Sequence, residues 1–368
     1  MSTTEEQIYG AALASLPFIG ARRIRRLVSE IGSCKGAWHE NMRNLAALLG
    51  ISLEQAQMIE TEKARFDWDS LVNHLETGEC KIVTYWDDAY PGLLRTIFDA
   101  PALLFYKGQL PSFEKSVSIV GSRKASSYGM NAAKSLAGEL AACGIVIVSG
   151  GARGIDSCAH KGALTQKGCT VAVVANGLDI TYPPENTRLF SDICQQGGAV
   201  MTEFYFGVPP LSQNFPSRNR IIAGIAPILA VVEAAMKSGS LITADFALEE
   251  GREVFSLPGS IYSQTSKGTN KLIKEGATIL TSAADILTAY DWEVPGKEGG
   301  ETKLAQLGLT RQEKAIYGLL SLDEPHSLKY LIEQSGLPAS SVSTTILHLE
   351  LQSLTYEVPG GYIRNKLI

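Results

Sequence analysis

Two stretches of this 368-residue chain, "GSRKASSYG" (121–129) and "SGGARGID" (149–156), place glycines and hydroxyls around an arginine directly after an apolar run. Ahead of a helix, such loops offer backbone N–H groups and the helix dipole to a phosphate. Glycines there also serve tight strand-to-helix packing, so either loop alone supports both readings. An arginine inside each favours anion binding, because guanidinium clamps phosphate through two hydrogen bonds. Arg123 and Arg153 are therefore candidate binding residues. A third stretch, "NFPSRNRIIAG" (214–224), sets an aromatic, a proline and an Arg-Asn-Arg triplet before an apolar segment, and a fourth, "KSGSLIT" (237–243), is again rich in Gly and Ser.

Regular elements must hold these loops. From Ser116 onward, apolar runs alternate with helical stretches, the pattern of a parallel sheet with crossover helices. Strands are expected at 116–121, 145–150, 170–176, 199–203, 228–234, 253–259 and 278–282. Their apolar character on both faces fits strands covered by helices on each side. The fold class is α/β, a Rossmann-like, doubly wound, mostly parallel sheet, so a ligand belongs beyond the carboxyl ends of the strands.

In the third stretch, Pro216 suits a first helical turn. Ile221, Ile222 and Ile225 would face the sheet, leaving Arg218, Asn219 and Arg220 on the first turn. Cations there oppose the helix dipole at a cost of roughly 0.3–1 kcal/mol each. An anionic ligand would remove that conflict. Phe215, just outside the expected helix, would serve either as a hydrophobic staple or as a surface on which a base stacks.

The flanks differ in character. Residues 1–80 read as a helical domain in which "LPFIGARRIRRLV" (16–28) resembles a helix-hairpin-helix turn, with Gly20 present but Arg22 where a second glycine is usual. A domain at 81–290 follows, then a Gly-rich, charged linker at 291–309. Residues 310–368 give three helical patterns and two short strands around Pro-Gly-Gly, the order of a winged helix. Its third helix, "PASSVSTTILHLELQS", lacks Lys and Arg, so Arg364 and Lys366 near the wing are the nearest cations. That favours a protein-contact or regulatory role over DNA reading.

With 45% hydrophobic and 19% charged residues, disordered and fibrous classes are excluded. No apolar run reaches membrane-span length and the start is acidic and polar, which reads as cytoplasmic. The six cysteines form no C-x-x-C pair and read as small buried hydrophobes. His160 reads as packing, Asp156 and Glu185 as helix-cap or ion-pair residues, and neither a metal nor a cofactor is expected. Net charge is −5, yet residues 115–290 carry 15 basic against 13 acidic residues, with the cations concentrated in loops.

"GSRKASSYG", "SGGARGID", "GLDITYPPENTRL", "FPSRNRIIAG", "SGSLITA" and "VFSLPGS…SKGTNKLI" resemble, in order and spacing, the signature of the DprA/Smf family of DNA-processing proteins. The resemblance implies a dimeric, non-enzymatic single-stranded DNA-binding protein of natural transformation, which protects incoming strands and loads the RecA recombinase. It carries Ser122, Arg123, Gly151, Arg153, Gly154, Phe215, Arg218, Asn219 and Arg220 to the DNA face, and adds Lys267 and Asn270. It also places dimer contacts toward 276–292, with Ile286 and Leu287 as candidates.

An enzyme is the alternative. The loop order and "EAAMKSGSLITA" also look like nucleoside-monophosphate phosphoribohydrolases, whose P-G-G-x-G-T-x-x-E loop supplies a catalytic glutamate. Here Thr243 falls at that position and Asp245 two residues on, and no Walker loop, G-x-S-x-G elbow or H-E-x-x-H occurs.

Overall fold

Helix caps and apolar stripes divide the first 77 residues into six short helices. A computed structural model describes residues 4–77, 80–292, 309–322 and 324–365. The helices are α1 (Glu5–Ser15), α2 (Ala21–Ile31), α3 (Cys34–His39), α4 (Met42–Leu49), α5 (Leu53–Arg65) and α6 (Trp68–Glu76). Capping boxes Thr4/Gln7 and Ser52/Gln55 start α1 and α5, and Gly32, at φ +97°, ends α2.

The central domain follows as β1 (Lys81–Thr84), α7 (Gly92–Arg95), β2 (Leu103–Gly108), β3 (Ser116–Gly121), α8 (Ser127–Ala142), β4 (Val146–Ser149), α9 (Ile155–Thr165), β5 (Thr170–Val173), α10 (Thr187–Gln195) and β6 (Ala199–Thr202). It continues with α11 (Asn214–Ile225), β7 (Ile228–Glu233), α12 (Gly239–Glu249), β8 (Glu253–Ser256), α13 (Lys267–Lys274), β9 (Thr278–Ile279) and α14 (Ala283–Ala289). The nine strands run in the order β1-β2-β6-β5-β4-β3-β7-β8-β9. All seven expected strands are present and parallel to one another. β5, β8 and β9 stop three residues early, the remainder turning into loops at the carboxyl ends. β1 and β2, which sequence periodicity did not reveal, are antiparallel additions beside β6.

Strand alternation splits the core between two faces of the sheet. Val117, Ile119 and Ile147 pack with residues of α8, α9 and α14. Val120, Val148 and Val231 point the other way, against Ile221, Ile222 and Ile225 of α11 and Ala244 and Ala247 of α12. The chain moves outward from β3 through β4, β5 and β6, then returns to β3's other side as β7. That reversal makes the β3/β7 junction the topological switch point.

Beyond it lie α15 (Arg311–Leu319), α16 (Leu328–Ser335), α17 (Ala339–Leu351), β10 (Thr355–Val358) and β11 (Gly361–Arg364), the winged helix read from sequence. Its apolar centre is its own, built on Ile316, Leu331, Val342, Ile346 and Leu349. It touches the central domain through Asn131 of α8, whose Nδ2 donates to the Leu322 carbonyl and whose Oδ1 accepts from the Tyr356 hydroxyl. The linker expected at 291–309 falls mostly, and Lys366 wholly, outside the described residues.

One expectation fails here. Ile286 and Leu287, read as dimer contacts, are buried at 0% and 2% exposure inside the chain's own core, because α14 turns its apolar side onto β3, β7 and α8. The edge strand β9 exposes both Thr278 and Ile279.

Candidate nucleic-acid interface

At the switch point a cleft of about 800 Å³ opens beyond the carboxyl ends of β3 and β7. Ser122, Arg123 and Lys124 form one wall, Phe215 and Asn219 of α11 another, and Lys237 and Ser240 at the start of α12 a third. The first loop is tied at its root, since Ser122 N–H donates to the Glu233 carbonyl and Ser126 N–H to the buried Glu233 carboxylate. Ser126 then caps α8 through Gly129 N–H. These bonds fix the loop's ends and leave the exposed Arg123 side chain over the cleft. Its guanidinium carbon lies 4.5 Å from the centroid of the Phe215 ring. Tyr182 closes the same corner, its ring 6.1 Å from that of Phe215 and tilted by 59°.

Arg218 lines the cleft floor but is only 4% exposed. Its Nη1 donates to the carbonyl oxygens of Gly150 and Val173, and its Nε donates to Asn219 Oδ1. Burial pushes the guanidinium down to about 10, an effect that the neighbouring Asp156 carboxylate opposes. Burial also raises the Asp156 carboxyl, against the attraction of Arg218. Arg220 points elsewhere, consistent with a turn of roughly 200° over two residues. It pairs with Glu203 and, at 3.3 Å, with Asp99. Neither arginine is the open phosphate ligand expected from sequence. The conflict with the helix dipole is relieved from inside the protein, by backbone carbonyls and carboxylates. Phe215 sits within the first turn of α11, not before it.

The second loop also differs from expectation. Gly151 (φ +62°) and Gly154 (φ +75°) make the turn, and a side chain at Gly154 would collide with the Ser122 carbonyl. Gly154 lets the two loops approach, Gly151 makes room for the Phe190 ring of α10, and neither lines the cleft. The Ala152 N–H donates to Asp156 Oδ2 at 3.3 Å, so an internal carboxylate already occupies the loop's anion-binding geometry. Arg153 is half exposed and paired with Glu185.

Of the remaining candidates, Lys267 is exposed at the start of α13, outside the cleft lining. Asn270 exchanges two hydrogen bonds with the Gly259 backbone and so holds the loop after β8. His160 is fully buried against Thr170 Oγ1. Lys124, Tyr182 and Lys237 are cleft residues that sequence reasoning did not select, although all three lie in stretches it singled out. Among the described residues, no cluster of three or more His, Cys, Asp or Glu could hold a metal, and no helix is long and apolar enough to cross a membrane.

Residues 81–291 match the family model described as DNA recombination-mediator protein A, and residues 301–361 match the DprA winged helix domain. The chain belongs to the DprA/Smf family. Its relatives there include Protein Smf of Escherichia coli, 38% identical over 320 residues, covering 86% of this chain and 85% of that protein. DNA processing protein DprA of Streptococcus pneumoniae is 46% identical over 207 residues, 56% of this chain and 73% of that one. The X-ray structure of S. pneumoniae DprA superposes with a TM-score of 0.66 at 35% identity, over 80% of this chain and 99% of that one. A Helicobacter pylori DprA structure, described for its single-stranded DNA binding mode, gives 0.52 at 28% identity, over 58% and 98%. The DprA/Smf fold thus frames the cleft, while Arg123, Phe215, Tyr182 and Lys237 furnish its chemistry.

Proposed function

We propose that this chain is a non-enzymatic single-stranded DNA-binding protein that protects incoming strands and loads RecA recombinase on them during natural transformation, acting as a homodimer in the cytoplasm. The observation that carries this reading is Arg123 lying over Phe215 at the switch-point cleft, with Lys124 and Lys237 on its rim. Cations beside an open aromatic ring suit a strand whose phosphates and bases are both accessible. The H. pylori relative, described by its single-stranded DNA binding mode, supports the choice of ligand. The family model's description as a recombination mediator supports the link to RecA.

The phosphoribohydrolase alternative needs a carboxylate aimed at the nucleotide. Thr243 occupies the position of that family's glutamate and donates to the Gly239 carbonyl, Asp245 is exposed and outside the cleft lining, and the lining carboxylate, Asp156, accepts from Ala152 N–H beside Arg218. Labelled single-stranded and duplex oligonucleotides titrated at two salt concentrations test the binding reading. Tight, salt-sensitive binding that favours single strands is expected, and equal or absent binding refutes it. Release of adenine from AMP would establish the enzyme instead.

A further inference from the structure

We propose that Phe98, with the basic outer face of α2, forms a second single-strand contact surface that continues the track leaving the cleft; this rests on the cleft being the primary single-strand site. Phe98 is 75% exposed, yet its position is fixed on three sides. Its N–H donates to the Glu250 carboxylate at 3.0 Å, its carbonyl accepts from Arg25 Nη2 at 3.2 Å, and the Arg22 guanidinium carbon lies 3.7 Å from its ring centroid. An aromatic ring that adds nothing to a core, held from its backbone and capped on one face by arginine, leaves its other face to a base. The α2 sequence "ARRIRRLVSEI" buries Ile24, Leu27 and Val28. Arg22 and Arg26 are thereby turned to solvent, and Arg26 has no ion-pair partner among the described residues.

Asp99 joins this surface to α11 through Arg220, on a side of the helix that does not line the cleft. Its two oxygens pair with Arg22 at 3.4 Å and with Arg220 at 3.3 Å. Arg220 follows Phe215 by five residues on α11, about 7.5 Å along the helix axis. Phe98 lies toward the far end of α11, where Ile97 packs on Gly224, so a strand stacked at Phe215 must run along most of that helix to reach the Phe98 platform, and the neighbouring Asp99 charge is already neutralised by two arginines. The helix-hairpin-helix resemblance of residues 16–28 acquires a role in this way. Its arginines contribute a docked, basic and aromatic patch.

Anisotropy titrations with a thymidine homopolymer of about six nucleotides, near the low end of single-strand site sizes, and with one roughly five times as long, test the proposal. Phe98→Ala should bind the long strand about tenfold more weakly than wild type, as expected for a lost stack, and the short strand equally well. Arg26→Ala should flatten the dependence of log K on log salt by about 0.7 on the long strand only. Both side chains are exposed, so unchanged melting temperatures are expected. Wild-type behaviour of both variants on both strands, or losses confined to duplex DNA, overturns the proposal while an intact Arg123→Ala defect on the short strand keeps the cleft reading. An Arg123→Ala variant that binds the short strand normally overturns both.

Discussion

The guanidinium of Arg123 stands 4.5 Å from the centre of the Phe215 ring, so the two residues form one surface from a loop and a helix start 92 positions apart in sequence. A cation over one side of a ring and an accessible cleft beside it separate two contributions to binding. Arg123→Ala should weaken all sequences alike and flatten the salt dependence by about 0.7 per lost single-strand contact. Phe215→Ala should cost about 1–3 kcal/mol with the salt slope unchanged. Equal slopes in both variants, with affinity intact, would refute the DNA-face assignment; anisotropy at four salt concentrations reads both terms.

Arg218 should behave as a structural residue. Arg218→Met deletes donors to the Gly150 and Val173 carbonyls and leaves the buried Asp156 without its cation, at an expected cost of about 3 kcal/mol near neutral pH. Because burial raises the folded-state pKa of Asp156, the folded protein holds that proton more readily than the unfolded chain. Its ionisation therefore costs stability as pH rises from the ordinary carboxylate range through the raised value. Without Arg218 the penalty grows, so the deficit of the variant should shrink as pH falls. Urea unfolding at pH 5 and pH 7.5 measures this, and a pH-independent deficit would argue against Asp156 as its source.

His160 offers an opposite sign. Burial lowers its pKa to about 3 from an ordinary value near 6.5. The unfolded chain thus takes up a proton that the folded protein refuses, and stability falls as pH drops below 6.5, at about 1.4 kcal/mol per pH unit from this group. His160→Leu should remove that component between pH 6 and 4 while leaving Thr170 Oγ1 its bond to the Ile147 carbonyl. Parallel pH profiles for variant and wild type would show that other groups carry the acid sensitivity.

Legibility in the sequence followed the range of the forces involved. Seven parallel strands were readable because apolar runs between turn residues are local signals, and the glycine loops because tight turns demand glycine. β1 and β2 were not, since they pair antiparallel with each other and join the sheet only where β2 meets distant β6. The arginines of α11 were misread for the same reason. Whether a cation meets solvent or a carboxylate depends on Asp156, Asp99 and Glu203, none of which lies within ten positions. Arg123 and Phe215, both selected from sequence, meet at the cleft, but their stacking joins two crossovers and no local pattern encodes it. Ile286 and Leu287 were expected at a surface, but they lie on the core side of their helix.

The winged helix should prove dispensable for single-strand affinity. Its third helix, α17, presents no Lys or Arg, and Tyr356 of β10 is held by Asn131. Removing residues 293–368 should leave affinity within a few-fold, because the cleft residues stay intact. A loss of tenfold or more in the same titration would place DNA contacts in this module.

Assembly is tested best at β9. The strand pairs on one side with β8 and ends the sheet, and its Ile279 is 52% exposed. An apolar side chain on an unpaired edge invites a second strand, whereas the neighbouring Ile286 and Leu287 would unfold the core if charged. Ile279→Glu is therefore the informative variant. It should keep the wild-type melting temperature in dilute solution and shift a dimer toward monomer in sedimentation velocity at micromolar concentration. A wild-type monomer under those conditions would remove the homodimer proposal. A dimer untouched by Ile279→Glu would move the interface off this edge, because a buried carboxylate facing its symmetry mate has no cation on β9 to neutralise it.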